Sequence, residues 1–139
     1  MKTLKTCVII ISILSFKTFA CSCLKLSLEE HFRSTENVYF GQLISAKLVK
    51  ADTEWPYIEG TFHVHDVLKG KQVELVNIKT GLGGGDCGIP FIVGKHYSIF
   101  VNKNGEYVGT CGATQQVNLY DKEDFIKKIS SFVNGAVNN

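Results

Sequence analysis

The chain has no apolar run long enough to cross a bilayer, which takes about 20 residues. The mainly apolar stretch Cys7 to Phe16 falls short of that. Nor is there a surplus of charge: the whole chain carries +2. With Lys2, Lys5 and Lys17 set aside in the leader described below, twelve Lys and Arg face thirteen Asp and Glu, a net charge of −1. That balance gives no reason to expect nucleic acid or an acidic membrane as a partner. There is no internal repeat and no linker. The glycine-rich stretch Gly81 to Gly88 lacks the Gly-Lys-Ser/Thr ending of a phosphate loop, and no helical pattern follows it immediately, so it reads as a flexible connector. His63-Val64-His65 puts two imidazoles on one face of a strand, a spacing used by some zinc sites. No third ligand is evident, because His31 and His96 are distant in sequence, and solvent-facing histidines account for the pair. Neither a Ser/His/Asp set nor a paired-carboxylate motif stands out. The chain reads as a non-enzyme with no cofactor and no intrinsic metal.

What is present begins with a leader. Lys2 and Lys5 give a positive start, Cys7 to Phe16 follows, and Thr18-Phe19-Ala20 ends on small residues at the positions that govern cleavage. Residues 1–20 are therefore expected to be a signal peptide, with residues 21–139 as one exported domain. Secretion is the expected destination; the periplasm and a lipid-anchored surface are the alternatives. A lipoprotein signal also ends before cysteine, usually with leucine three residues earlier, where this chain has Thr18. Acylation of Cys21 would block both its amine and its thiol.

Removal of Cys7 with the leader leaves four cysteines: Cys21, Cys23, Cys87 and Cys111. An even count in a small exported chain reads as a disulfide framework. A Cys21–Cys23 ring would be small and strained, which leaves two long-range connectivities open. Each bridge would contribute about 4 kcal/mol in the chain-entropy model. A Cys-x-Cys redox enzyme would need an accessible, reducible pair, whereas the downstream cysteines suggest that both are consumed.

Ser27-Leu28-Glu29-Glu30 has the form of a capping box, predicting a short helix over Leu28 to Ser34. Val38 to Val49 reads as a long strand with a bend or bulge at Gly41. Lys50 to Pro56 reads as a loop. Gly60 to Leu68 alternates, with Phe62 and Val64 on one face and His63 and His65 on the other. Further strands are expected over Gln72 to Lys79 and Tyr97 to Val101. An Asn104-Gly105 hairpin turn leads to a returning strand over Tyr107 to Thr110. Asp121 is placed to cap a final helix whose apolar face carries Phe125, Ile126, Ile129, Phe132 and Val133, and the tail from Asn134 is expected to fray. Five short strands between two helices predict a mainly β fold, a small closed barrel.

Several features together resemble the inhibitory domain of the tissue inhibitors of metalloproteinases and, more broadly, the netrin-like module. They are the cut directly before Cys21, Cys21-Ser22-Cys23, the strand Val38 to Val49, Val67-Leu68-Lys69-Gly70, Cys87-Gly88 followed by Phe91-Ile92-Val93-Gly94-Lys95, and Thr110-Cys111. The resemblance implies a closed five-stranded barrel of the oligonucleotide/oligosaccharide-binding type, with Cys21 bridged to Cys87 and Cys23 to Cys111. It implies a monomer whose partner is a zinc metalloprotease. The α-amine and carbonyl of Cys21 would chelate that protease's catalytic zinc, displacing the water that attacks substrate. Ser22 would point towards the pocket beyond the zinc, Cys23 and Leu24 would lie along the cleft, and Gly85 and Asp86 would contact the protease beside them. A netrin-like binding module without inhibitory activity is the alternative. The chain departs from the animal inhibitors in lacking a third cysteine pair in this domain, and Ser22 is smaller than the threonine common at its place.

Overall fold

The computed structural model describes residues 21–52, 54–103 and 105–135. The expected leader with its cleavage and acylation signals, Asn104 of the expected turn, and the tail beyond residue 135 lie outside the described residues.

Helix α1, Leu28–Ser34, begins as its capping pattern predicts. The Ser27 hydroxyl accepts from the Glu30 N–H at 3.2 Å, and Glu30 Oε2 accepts from the Ser27 N–H at 2.7 Å. Two orphan donors are thereby satisfied. At the other end, Lys69 Nζ donates to the carbonyl oxygens of Phe32 at 2.6 Å and Thr35 at 2.5 Å. A cation is favoured there by the helix dipole.

Two long strands, β1 (Asn37–Ala51) and β2 (Glu54–Lys69), form an antiparallel hairpin. β3 (Leu75–Thr80) pairs antiparallel with β2, and β4 (His96–Val101) antiparallel with β1. β5 (Tyr107–Val108) runs parallel to β3, and β6 (Gln115–Val117) antiparallel to β4. The order β5-β3-β2-β1-β4-β6 makes one mixed, six-stranded sheet curled into a half-barrel. A 3-10 turn, Leu119–Asp121, leads into the final helix α2, Lys122–Gly135. Among the described residues, no helix is long and apolar enough to cross a membrane.

The expected closed five-stranded barrel is not formed. Closure would bring β5 to the outer edge of β4, but β6 holds that edge opposite His96, Tyr97 and Ser98. Just beyond, the Thr114 hydroxyl accepts from the Phe100 N–H at 2.9 Å. The strand expected to return antiparallel after the turn instead lies parallel to β3, Tyr107 opposite Lys79 and Val108 opposite Thr80. The stretch Lys50 to Pro56 is largely strand rather than loop, because the hairpin zips to its tip, with Val49 opposite Tyr57. Pro56 is tolerated there because β3 pairs with β2 only from Ile58 onward. Asp121 ends a 3-10 turn directly before α2, and its carboxylate accepts from the Asn118 side chain at 3.4 Å.

The sheet buries both faces. One face holds Tyr39, Leu43, Phe62, Val64, Ile78, Tyr97 and Ile99 in a single cluster. The other packs Val38 and Phe100 against Phe32 of α1 and Ile129 of α2, with Phe125 and Phe132 partly covered. Val133 lies off that face and is exposed. A register shift in β1 falls between Phe40 and Gly41, and a β-carbon on Gly41 would lie 2.6 Å from the His63 carbonyl oxygen. Only glycine permits that approach.

Candidate functional site

The segment Cys21-Ser22-Cys23-Leu24 has no regular secondary structure and is held by covalent links. Cys21 is bridged to Cys87 with Cα atoms 5.7 Å apart, and Cys23 to Cys111 at 5.1 Å. This is one of the two long-range connectivities that the cysteine count leaves open. The receiving segments are tied to each other as well: the Thr110 N–H donates to the Cys87 carbonyl at 2.8 Å. Gly109 allows this, since a β-carbon on it would sit 2.8 Å from that same oxygen. Cys21 is half-buried, while Ser22, Cys23 and Leu24 are exposed, Leu24 by 80 %. Residues 21 and 23 are thus fixed at their sulfurs, with Ser22, Cys23 and Leu24 exposed.

The Gly81 to Gly88 stretch carries local hydrogen-bonded structure. It contains a 3-10 turn, Gly84–Asp86, organised by one carboxylate. Asp86 accepts from the N–H groups of Leu82 at 2.5 Å, Gly83 at 2.8 Å and Gly88 at 3.1 Å. These bonds, the one from Leu82 foremost, hold its carboxyl below the usual carboxylate range. Cys87 then takes a left-handed backbone with φ 58°. Gly85 and Asp86 therefore sit next in chain to the residue that anchors Cys21, and both are exposed.

A carboxylate held below its ordinary value contributes stability above about pH 3.9, its unfolded value, and loses it as pH falls through the folded value. Asp86→Ala should therefore speed amide exchange at Leu82, Gly83 and Gly88 at neutral pH while leaving β1 and β2 protected. Unchanged exchange at those three amides would show that the turn is held by something else.

A feature not expected from sequence lies beside this loop. The hairpin tip and the glycine turn enclose a cleft of about 1020 Å³, lined by Trp55, Tyr57, Lys79, Leu82, Asp86 and Tyr107 among others. Trp55 is 92 % exposed, and Lys79 Nζ lies 5.3 Å from the centre of the Tyr57 ring. Trp55 next to Pro56 is the signal the sequence carries, and the pairing of Val49 with Tyr57 sets its place near the end of the hairpin ladder.

The two histidines of β2 take the face that the alternation predicts. His63 and His65 share the face opposite Phe62 and Val64, and His96 of β4 joins them, its ring 5.5 Å from that of His65. Among the described residues, no group of three His, Cys, Asp or Glu side chains is arranged to hold a metal ion.

The class these observations define is a mainly β half-barrel with residues 21–23 stapled to it by two disulfides. No protein-family model matches the chain, and no curated protein matches it.

Proposed function

We propose that the protein is an exported inhibitor of zinc metalloproteases that acts through the α-amine and carbonyl of Cys21 once the chain is cut before that residue. The observation that carries this reading is the double clamp on residues 21–23. A flexible peptide would lose much of its binding free energy to ordering, whereas a stapled chain end has already met that cost. An amine and the adjacent carbonyl oxygen can close a five-membered chelate at the open position of a catalytic zinc. Ser22, Cys23 and Leu24 on the exposed side, with Gly85 and Asp86 alongside, are the residues assigned to contact with the protease. The sheet is read as an opened barrel of the oligonucleotide/oligosaccharide-binding type, as in netrin-like modules and the tissue inhibitors of metalloproteinases, and the protein as a monomer.

A second reading is favoured by the cleft beside Trp55, which Cys21 does not line. On that reading the domain is a netrin-like binding module without inhibitory activity.

The test is to prepare the oxidised protein beginning at Cys21 and a version extended by one alanine, and to assay both against a panel of zinc-protease catalytic domains. The extended form should lose inhibition while its circular dichroism and melting temperature stay unchanged. Only the neutral amine binds metal, and a free α-amine titrates at about 7.7–8.0. Potency should therefore fall about tenfold per pH unit below that range, after correction for the protease's own pH dependence. Equal potency of the two forms would remove the chelation reading and leave the binding module.

A further inference from the structure

The sheet face that meets α2 carries a stack of rings. Phe40 of β1 is wholly buried. The His96 ring lies 5.8 Å from it with planes 14° apart, and His65 lies at 6.4 Å. His65 stacks on His96 at 5.5 Å and meets His63 edge-on at 5.0 Å. Lys122, the first residue of α2, completes the group: its ammonium is 5.2 Å from the centre of the Phe40 ring and 2.9 Å from Asp66 Oδ2. That carboxylate oxygen is enclosed and makes no hydrogen bond, so the ion pair with Lys122 is what balances it among the described residues. Three imidazoles, one ammonium and one carboxylate are thus gathered where α2 docks on the sheet.

We propose that this cluster is a proton-operated latch: near neutral pH uncharged His65 and His96 pack on Phe40 beside Lys122, and mild acidification charges them and frees the first turn of α2 from the sheet. The ionisable groups facing the imidazoles are His63, His65 and Asp66 of β2, His96 of β4, Lys122 of α2, whose first turn also holds Glu123 and Asp124, and Glu74 just before β3, which lines a hollow with His65. β1 and β6 add no charge there, since Gln42 lies across from both His63 and His96, and Val117 across from His96. Protons on His65 and His96 add two positive charges beside Lys122, whose ion pair is with Asp66. The dipole at the start of α2 adds to the repulsion.

The direction follows from linkage. Packing of the rings against their neighbours, which removes part of their water, comes first in lowering both His65, an exposed residue, and half-buried His96 below the ordinary imidazole value. His63 and Lys122 lower His65 further against a smaller opposing pull from Asp66, while His65 and Lys122 lower His96. A group lowered on folding binds fewer protons in the native state. Its contribution to stability is whole above about pH 6.5, the unfolded value, and is lost as pH falls through the folded value. Because Ile129 of α2 closes over Phe32, Val38 and Phe100, release of the helix start uncovers the edge of that apolar cluster.

Amide exchange on the oxidised protein, corrected for the intrinsic rate, tests the latch at about pH 7.5 and about pH 5.5, on either side of the ordinary imidazole value of about 6.5. Protection over residues 122–129 should drop several-fold at the lower pH, while that of β1 and β2 holds. The double variant His65→Gln with His96→Gln should lose this pH dependence. Equal protection of α2 at both pH values in the native protein would overturn the proposal, as would the same loss in the double variant. Should the double variant fail to fold, Lys122→Met supplies the decision through nuclear magnetic resonance titration. Removing the ammonium should raise the midpoints of His65 and His96, and unmoved midpoints would overturn the latch. No protease enters these measurements, so they are independent of the inhibitor reading.

Discussion

Cys21→Ser with Cys87→Ser should destabilise the domain by about 3 kcal/mol, less than the value for an isolated bridge. The two bridges join residues 66 and 88 apart in sequence, and their loops overlap. Taken alone, loops of that length are worth about 4.5 kcal/mol each in the chain-entropy model. With Cys23–Cys111 still closed, residues 21 and 87 of the unfolded chain remain linked by a short route through the surviving bridge. The effective loop shrinks to about 20 residues and the entropy lost with it falls to about 3 kcal/mol. The same reasoning gives about 3.5 kcal/mol for opening Cys23–Cys111 while Cys21–Cys87 stays closed. Opening both should cost about 8 kcal/mol, roughly 1 kcal/mol more than the two single losses added together. Against a net stability of about 5–15 kcal/mol for an ordinary domain, that loss approaches complete unfolding. Urea denaturation of the three variants supplies the comparison, provided the transitions stay two-state. Strict additivity would mean that the bridges constrain independent parts of the unfolded chain, against the overlap of their loops.

What the sequence makes legible follows from how local each determinant is. The capping box of α1 spans four adjacent residues, and it appears where expected. The alternation at Phe62, His63, Val64 and His65 is likewise local and assigns the faces of β2 correctly. β6 has three residues, Gln-Gln-Val, too few to display a period, and its existence depends on the free edge of β4. Because β6 occupies that edge, the barrel stays open, a consequence no window of sequence contains. The parallel pairing of β5 with β3 is likewise a long-range choice. Within the candidate site, the cysteines are visible as residue types, whereas their partners are set by how segments 87 and 111 meet through Thr110. Asp86 looks like a loop acid in a glycine run, and its role emerges only when three N–H groups turn towards it. His96 seems remote from His63, yet both lie across from Gln42 on opposite sides of β1. Two ladders bring together what 33 residues of chain separate.

Phe62→Ala is expected to cost about 3–5 kcal/mol by truncation of a large buried ring. Phe62 is fully buried, opposite Leu43 on β1, and stands edge-on to Phe91 at 5.2 Å and to Tyr97 at 5.5 Å. Phe91 and Tyr97 are themselves 5.8 Å apart, so three rings close on one another. Edge-on pairs add about 0.5–1.5 kcal/mol beyond the area they bury. The Tyr97 hydroxyl donates to the Pro90 carbonyl and accepts from the Ile92 N–H, both at 2.9 Å. Its burial raises the hydroxyl's pKa, keeping it a neutral donor. Phe62 thereby supports the ring that pins residues 90–92, only a few positions after Cys87. Loss of Phe62 should loosen that segment as well as lower global stability. Tyr97→Phe separates the two effects, because it keeps the ring packing and removes only the two hydrogen bonds. It should cost about 1–3 kcal/mol, with the Ile92 N–H left unpaired, and should raise exchange at Ile92 selectively. Urea denaturation gives the two losses and amide exchange locates them. A Phe62→Ala loss below about 1 kcal/mol would mean that the half-barrel collapses into the vacated volume, and that the three rings are not its core.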